Sequence, residues 1–514
     1  MINKIDPIFP CLKASLSKLA VIKNSQNQPC SHLTDLENNK GDFEDFPLGR
    51  FMRFLKHLKL KKLLIQIKDP RDPKKTEYSI EIILMWVLSV FFFRCESTNA
   101  LQTGFEMLPF HRSEALWNYF GLDSNNRKLP HRTIVTDCLA MINQNEINDL
   151  LEKLFKWALK SKIFYNHCEI LLPELTHYLA CDGVWVHKYT KPHAVDEEGK
   201  NNCPYCLPRV CNRGKENETT YWVHAFVNLA FILPGGTQLP IYVYALKAKQ
   251  LHGYESTSDD KHKQECELQA AREILPLIKQ KFPKLPITLL TDSLYANEPL
   301  LKLCKDLGWD YLIVRQEGSL KKVAQQCNRL EKTDLYQKHY RAKKIEQLQN
   351  GGRIVRTIKW FNQVCVGDEF SNVIRFEEIE YDKKGEIVKN FKTEWLSSVR
   401  IRKENCFKLA ERARIRAEHE DLHNTLKNRG FAAKHDYARA NANACLIWKL
   451  LMFVAFWIFE LFSCTVLAQR SKGSLSWMAL ARELLSDLKK VPWSVLNLSP
   501  SLQKENMQFR FNFP

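Results

Sequence analysis

The sequence predicts a mixed α/β fold with helices before and after its strands. Three observations carry that expectation. HYLACDGVWVHKY, YWVHAFVNLAFIL and QLPIYVYALKA are successive stretches rich in β-branched and aromatic residues, which suit a pleated, half-buried surface. KLPITLLTDSLYANEPLLKLCKDLGWDYLIV then reads strand, turn, helix, strand, a crossover that joins two parallel strands. RIVRTIKWFNQV, SNVIRFEEIEYD and GEIVKNFKTEWLSSV are further strand-like stretches joined by turn-rich links, and they precede a charged helical string, ARIRAEHEDLHNTLKNRG.

With 514 residues, the chain exceeds one ordinary core and suggests about two to four structural units. Residues 1–45 are polar with weak periodicity and read as a flexible arm. Residues 46–172 read as helical. In FMRFLKHLKLKKLLIQI, Phe51, Phe54, Leu55, Leu58 and Leu63 recur near helical spacing between Arg53, Lys56, Lys59, Lys61 and Lys62. Such a basic face is either solvated or set against nucleic acid. Residues 173–315 hold the first strands and the crossover, with a cysteine-bearing loop at 187–220. A β-rich insertion occupies 316–400, helices follow over 401–470, and 471–514 reads as a C-terminal tail.

Composition narrows the partner class. Lys and Arg number 76 against 58 Asp and Glu, a formal charge of +18. That surplus favours a polyanion, either nucleic acid or an anionic membrane surface. Membrane insertion is disfavoured. IILMWVLSVFFF is short for a bilayer, and CLIWKLLMFVAFWIFELF is interrupted by Lys449 and Glu460. Both read as buried helices. The N-terminus lacks the apolar stretch of a signal peptide, so a cytoplasmic location is expected, with the 16 cysteines mostly reduced.

Three acidic residues stand out. Asp182 lies between the apolar strings LAC and GVWV, where an unpaired charge is costly and a ligand is expected. Asp292 closes the first strand of the crossover, where functional side chains of open α/β sheets collect. Glu420 shares a helix stripe with Arg416, His423, Asn424 and Lys427. Carboxylates can anchor a divalent metal, and arginine and lysine can grip phosphate oxygens. Such a set suits metal-assisted chemistry on a nucleic-acid backbone. The plainer readings are strand-end caps for the aspartates and i,i+4 charge pairs for the helix.

The strings ACDGVWV, TLLTDSLYANEP, TEWLSSVRI and RIRAEHEDLHNTLKNRG, in that order, resemble a DDE-type insertion-sequence transposase. The likeness is to the branch with a late tyrosine-arginine-glutamate-lysine signature, and it runs from roughly residue 50 to 465. Arg416, Glu420 and Lys427 match three of the four signature positions; the tyrosine position falls on Ala413. The resemblance implies a ribonuclease H-like mixed-sheet core with a β-rich insertion and a helical N-terminal region for recognising DNA ends. It implies Asp182, Asp292 and Glu420 as catalytic ligands of Mg²⁺ or Mn²⁺, and Arg416 and Lys427 as DNA phosphate contacts. The implied reaction is cleavage at terminal inverted repeats, often through a hairpin, followed by strand transfer into target DNA by a homodimer. Glu418 faces away from this stripe, and His423 reads as a helix-surface residue. Two rival readings are a transposase-derived DNA-binding protein without catalysis and another nuclease of the same fold.

A second metal site is suggested by NNCPYCLPRVC. Cys203 and Cys206 form a C-x-x-C half-site for structural Zn²⁺, with Cys211, Cys266, His262, His193 and His187 as candidates to complete it. The resembling subgroup favours Cys266. Most of the 12 tryptophans read as packing residues; the family's use of a tryptophan in the β-insertion makes Trp360 the candidate for base stacking.

Overall fold

The computed structural model describes residues 46–106, 114–122, 129–161, 169–171, 174–192, 195, 197, 201–212, 214–233, 237–248, 266–428, 431, 433, 437, 441–465, 476–491, 493 and 496. The arm expected over 1–45 lies outside the described residues, as do His193 and His262 and the side chains of His187 and of 418–421.

Helices fill the N-terminal part. They are α1 (Pro47–His57), α2 (Leu60–Leu64), α3 (Ile80–Phe92), α4 (Thr98–Glu106), α5 (Glu114–Phe120), α6 (Arg132–Met141) and α7 (Gln144–Lys160). Lys59 adopts a left-handed conformation (φ 56°) and splits the basic stretch into α1 and α2. Phe51, Phe54, Leu55, Leu58 and Leu64 are buried, whereas Lys56, Lys59, Lys61 and Lys62 are exposed, the division an amphipathic surface helix requires.

The strands are β1 (Glu169–Leu171), β2 (Glu174–Tyr189), β3 (Cys206–Cys211), β4 (Thr219–Ile232), β5 (Gln238–Ala245), β6 (Ile287–Thr291), β7 (Asp310–Arg315), β8 (Arg341–Gln347), β9 (Arg353–Val366), β10 (Glu369–Tyr381) and β11 (Ile387–Ser397). They join one sheet in the order β3-β4-β2-β6-β7-β11-β10-β9-β8, with β1 also on β2 and β5 also on β4. β4 is antiparallel to β2 and β5, whereas β2, β6 and β7 run parallel. Helix α8 (Glu267–Lys281) precedes β6, and α9 (Glu298–Leu307) makes the crossover to β7. The Asn297 side chain caps the start of α9, and Gly308 ends it at φ 65°, a conformation glycine adopts without a Cβ penalty.

After β7, helices α10 (Lys321–Glu331) and α11 (Asp334–His339) lead into β8–β11. This insertion extends the central sheet, because β11 pairs antiparallel with β7 from Ser397↔Leu312 to Glu394↔Arg315. β8 was not foreseen: RAKKIEQ is polar on both faces and almost wholly exposed, so it lacks the alternation that marks a strand. Lysines on such an edge discourage pairing with another chain.

Side chains alternate between two cores. Leu179, Leu289 and Ile313 face the larger one, shared with α7, α8 and α14 (Ala442–Ser463). Tyr178, Ala180, Leu290 and Leu312 face a smaller one closed by α12 (Cys406–Arg414) and by Ile358, Trp360, Ile374 and Trp395 of the insertion. Helix α13 (Arg416–Asn428) follows α12 directly.

Helix α14 is long and apolar enough to cross a membrane, but 94% of its most apolar window is buried inside the protein. Lys449 is fully buried there and donates to the Ala433 carbonyl at 2.7 Å. That bond gives the ammonium a partner away from bulk water. The stretch 471–514, read as a tail, contains α15 (Trp477–Lys490). Leu480, Leu484 and Leu488 are buried, and the Leu48 N–H donates to Asp487 Oδ2 at 3.0 Å, fastening α15 to α1.

Candidate active site

β2 and β6 run parallel and in register, with Ala180 opposite Leu290 and Cys181 opposite Thr291. Asp182 and Asp292 are the next residue on each chain. Asp182 shares parity with Ala180, which faces the smaller core, and Asp292 is the first residue beyond β6, so both sit at the same end of this strand pair. Adjacent strands lie about 4.8 Å apart, so two carboxylates 110 positions apart in sequence become neighbours through register alone.

Local hydrogen bonds aim both side chains. Asp182 Oδ1 accepts from the Gly183 N–H at 2.8 Å. Asp292 Oδ1 accepts from the Leu294 N–H at 2.9 Å and so caps the short 3₁₀ turn Ser293–Tyr295. The capping role and the ligand role are compatible, since a carboxylate offers about four lone-pair sites and each of these bonds uses one.

Helix α13 brings positive charge to this pair. Arg416 Nη2 lies 3.2 Å from Asp182 Oδ2, with both side chains largely buried. This ion pair turns the 416-420-423-427 stripe of α13 toward β2. Burial, then Lys427 and Arg416, lowers His423 to about 3. His423 is therefore neutral near pH 7, packed between cations rather than standing as the solvated surface residue expected from its position. Glu420 falls on this stripe by helical period. Its backbone belongs to α13, and its side chain lies outside the described residues. Ala413, at the tyrosine position of the signature, is buried in the smaller core.

A further carboxylate, not identified from sequence, reaches the pair from the opposite sheet face. Glu267 is the first residue of α8. A Cβ placed on Gly183 would lie 2.0 Å from its carboxyl carbon, so Glu267 packs directly against the bare backbone of β2. Burial, then the charges of Asp182 and Asp292, raises Glu267 to about 7; Arg209 and a hydrogen bond with Trp185 oppose the rise. The pattern CDG offered one clue, since glycine in a strand often marks a close approach; the residue that fills the space could not be read from it.

Clustered carboxylates repel one another unless a cation or a proton intervenes. An all-oxygen donor set is suited to a hard divalent ion such as Mg²⁺ or Mn²⁺. The rise at Glu267 fits this repulsion, burial contributing most and the two aspartates next.

Residues 240–456 match the family model for the transposase DDE domain. The likeness is to a transposase DDE domain and covers under half of the chain. The matched span includes β6 with Asp292, the β-insertion, and α13 with Arg416, Glu420 and Lys427; Asp182 precedes it. DDE domains belong to DNA-cutting and strand-transferring enzymes that typically use divalent metals. No curated protein matches the chain.

Two other candidates require correction. Trp360 is only 3% exposed and packs in the smaller core near Tyr340, with ring centroids 6.0 Å apart. In this arrangement its ring is enclosed by the smaller core of the insertion. Cys266 is exposed at the start of α8 and is absent from the group that Cys203 and Cys206 form. Their third neighbour is His224, on β4.

Proposed function

We propose that this protein is a transposase that cleaves DNA at the inverted-repeat ends of its element and joins the freed ends to target DNA. The observation that carries the reading is the placement of Asp182 on β2 and Asp292 just past the end of the adjacent parallel strand β6, with Arg416 of the late helix against Asp182. Asp182, Asp292 and Glu420 would hold Mg²⁺ or Mn²⁺. Bound there, the ions activate the attacking water or 3′-hydroxyl and stabilise the leaving oxygen. Arg416 orients Asp182, and together with Lys427 it offers positive charge to the scissile phosphate. Neutral His423 fills the space between these cations without adding to their repulsion.

The strand order β5-β4-β2-β6-β7, with β4 antiparallel and β2, β6 and β7 parallel, supports a ribonuclease H-like core. On this reading the β-insertion follows its last strand, and residues 46–172 recognise the DNA ends with the exposed lysines of α1 and α2. Two copies would pair the two ends.

The test uses a supercoiled plasmid carrying the gene with its native flanking DNA. Mg²⁺-dependent breaks at the element's ends, followed by joined products in a target plasmid, are expected. Asp182→Asn and Asp292→Asn should each lower cleavage at least about 100-fold, with duplex binding and melting temperature retained. Binding without cleavage by the native chain would favour the non-catalytic reading, and cleavage without joining would favour a nuclease. Full activity in either variant would remove that aspartate from the mechanism.

A further inference from the structure

Away from the acidic cluster, the start of β3 holds a different donor set. Cys203 and Cys206 are fully buried and His224 is 2% exposed. Cys203 Sγ lies 3.4 Å from His224 Nε2 and Cys206 Sγ lies 3.2 Å from the same nitrogen. All three donor atoms fall within 4.8 Å of one another. Strand register accounts for part of the convergence, because Cys206 pairs directly with His224 across β3 and β4. The C-x-x-C turn then brings Cys203 back, with its N–H held by Asn201 Oδ1 at 3.0 Å.

A hydrogen-bonded cluster explains this arrangement less well than a metal. One imidazole nitrogen offers a single lone pair or a single N–H, yet two sulfurs converge on Nε2. A tetrahedral ion with bonds of about 2.3 Å to sulfur and about 2.0 Å to nitrogen sets S···N separations of about 3.5 Å. The observed spacings approach that value without movement of the backbone. The other ring nitrogen also has a neighbour: Cys445 Sγ of α14 lies 3.8 Å from Nδ1. A group on the far nitrogen selects the tautomer whose Nε2 is free for a metal.

We propose that Cys203, Cys206 and His224 bind one structural zinc ion, with Cys445 acting as a positioning residue that orients the imidazole. Both cysteines release their thiol protons to solvent on binding. Burial of all three donors closes the site to substrate, which assigns the ion a structural role; the described residues supply three of the four donors that a tetrahedral structural site takes. It ties the start of β3 to β4 beneath α14. β3 also carries Arg209, whose guanidinium lies 4.8 Å from the Trp185 ring and acts on Glu267. The zinc thus steadies a strand that borders the acidic cluster while taking no part in the reaction.

The test measures zinc in the full chain purified from zinc-supplemented cells. About one equivalent is expected, and Co²⁺ exchange should give the visible spectrum of a tetrahedral site with thiolate charge transfer. Cys203→Ser and Cys206→Ser should lose that spectrum, whereas Cys266→Ser and Cys211→Ser should keep it. Cys445→Ala should keep the stoichiometry but weaken zinc affinity about 10- to 100-fold, the readout that separates orientation from ligation. If the serine variants fail to fold, the native chain decides the matter through its metal content and Co²⁺ spectrum. Native protein with less than about a tenth of an equivalent after incubation with Zn²⁺, or with a Cys203–Cys206 disulfide in place of metal, would overturn the proposal, as would full zinc retention in a folded Cys203→Ser variant.

Discussion

At the scale of residues, the site depends on how charge is distributed around Asp182. Arg416 is its ion-pair partner. Arg416→Ala should slow strand cleavage about 10- to 100-fold while leaving Mn²⁺ binding, followed by electron paramagnetic resonance, no weaker than in the native chain. Weaker Mn²⁺ binding would show that the arginine builds the metal site and does not act on phosphate. Asp182 stands out in the sequence because a charge amid an apolar strand needs a partner, and Asp292 because it ends a crossover strand; the structure brings the two to one end of the β2–β6 pair. Glu267 does not stand out in the sequence, because its approach depends on where α8 begins relative to β2 and on the absent Cβ of Gly183. The burial of Trp360 was equally hidden: strand tryptophans have a strong tendency to pack, and the smaller core of the sheet encloses this one. His224 was missed as a zinc ligand because cross-strand register, not sequence spacing, brings it to Cys206.

At the scale of elements, the crossover and three strands of the insertion were visible in their alternation and turns. The break at Lys59, the polar strand β8 and helix α15 were not. α15 owes its place to tertiary burial of Leu480, Leu484 and Leu488, and its docking has a pH signature. Burial, with Glu483 also contributing, raises Asp487 to about 7, against the opposing effects of the Leu48 N–H and Lys490. The unfolded carboxyl ionises near its ordinary value of 3.8, so between about 4 and 7 the folded state holds the extra proton. Stability contributed by this group therefore falls as pH rises through that window, and the loss is complete above about 7. Asp487→Asn keeps an acceptor for Leu48 and removes the titration. It should raise the melting temperature at pH 8 and flatten its dependence on pH from 4 to 7. An unchanged pH profile would show that Asp487 is ionised throughout.

At the scale of the whole molecule, the +18 charge and the acidic cluster serve opposite ends of one task. On the proposed function, the surplus of lysine and arginine attracts the polyanion, and the cluster would hold a divalent cation where that polyanion is cut. Duplex binding should therefore weaken steeply with salt, with log K falling by about 0.9 per decade of salt for each phosphate neutralised. Fluorescence anisotropy from 50 to 200 mM salt, a range in which about six to ten phosphate contacts produce a 10³- to 10⁵-fold loss, reads this directly; a flat response would place DNA binding outside the function. The central claim is that Asp182 and Asp292 together hold a divalent metal. Its most direct measurement is anomalous scattering from crystals of the full chain soaked in Mn²⁺. The account predicts a peak between the two carboxylates, at about 2.1 Å from an oxygen of each. Density showing no manganese there, with Asp182 still on Arg416 at saturating Mn²⁺, would contradict it.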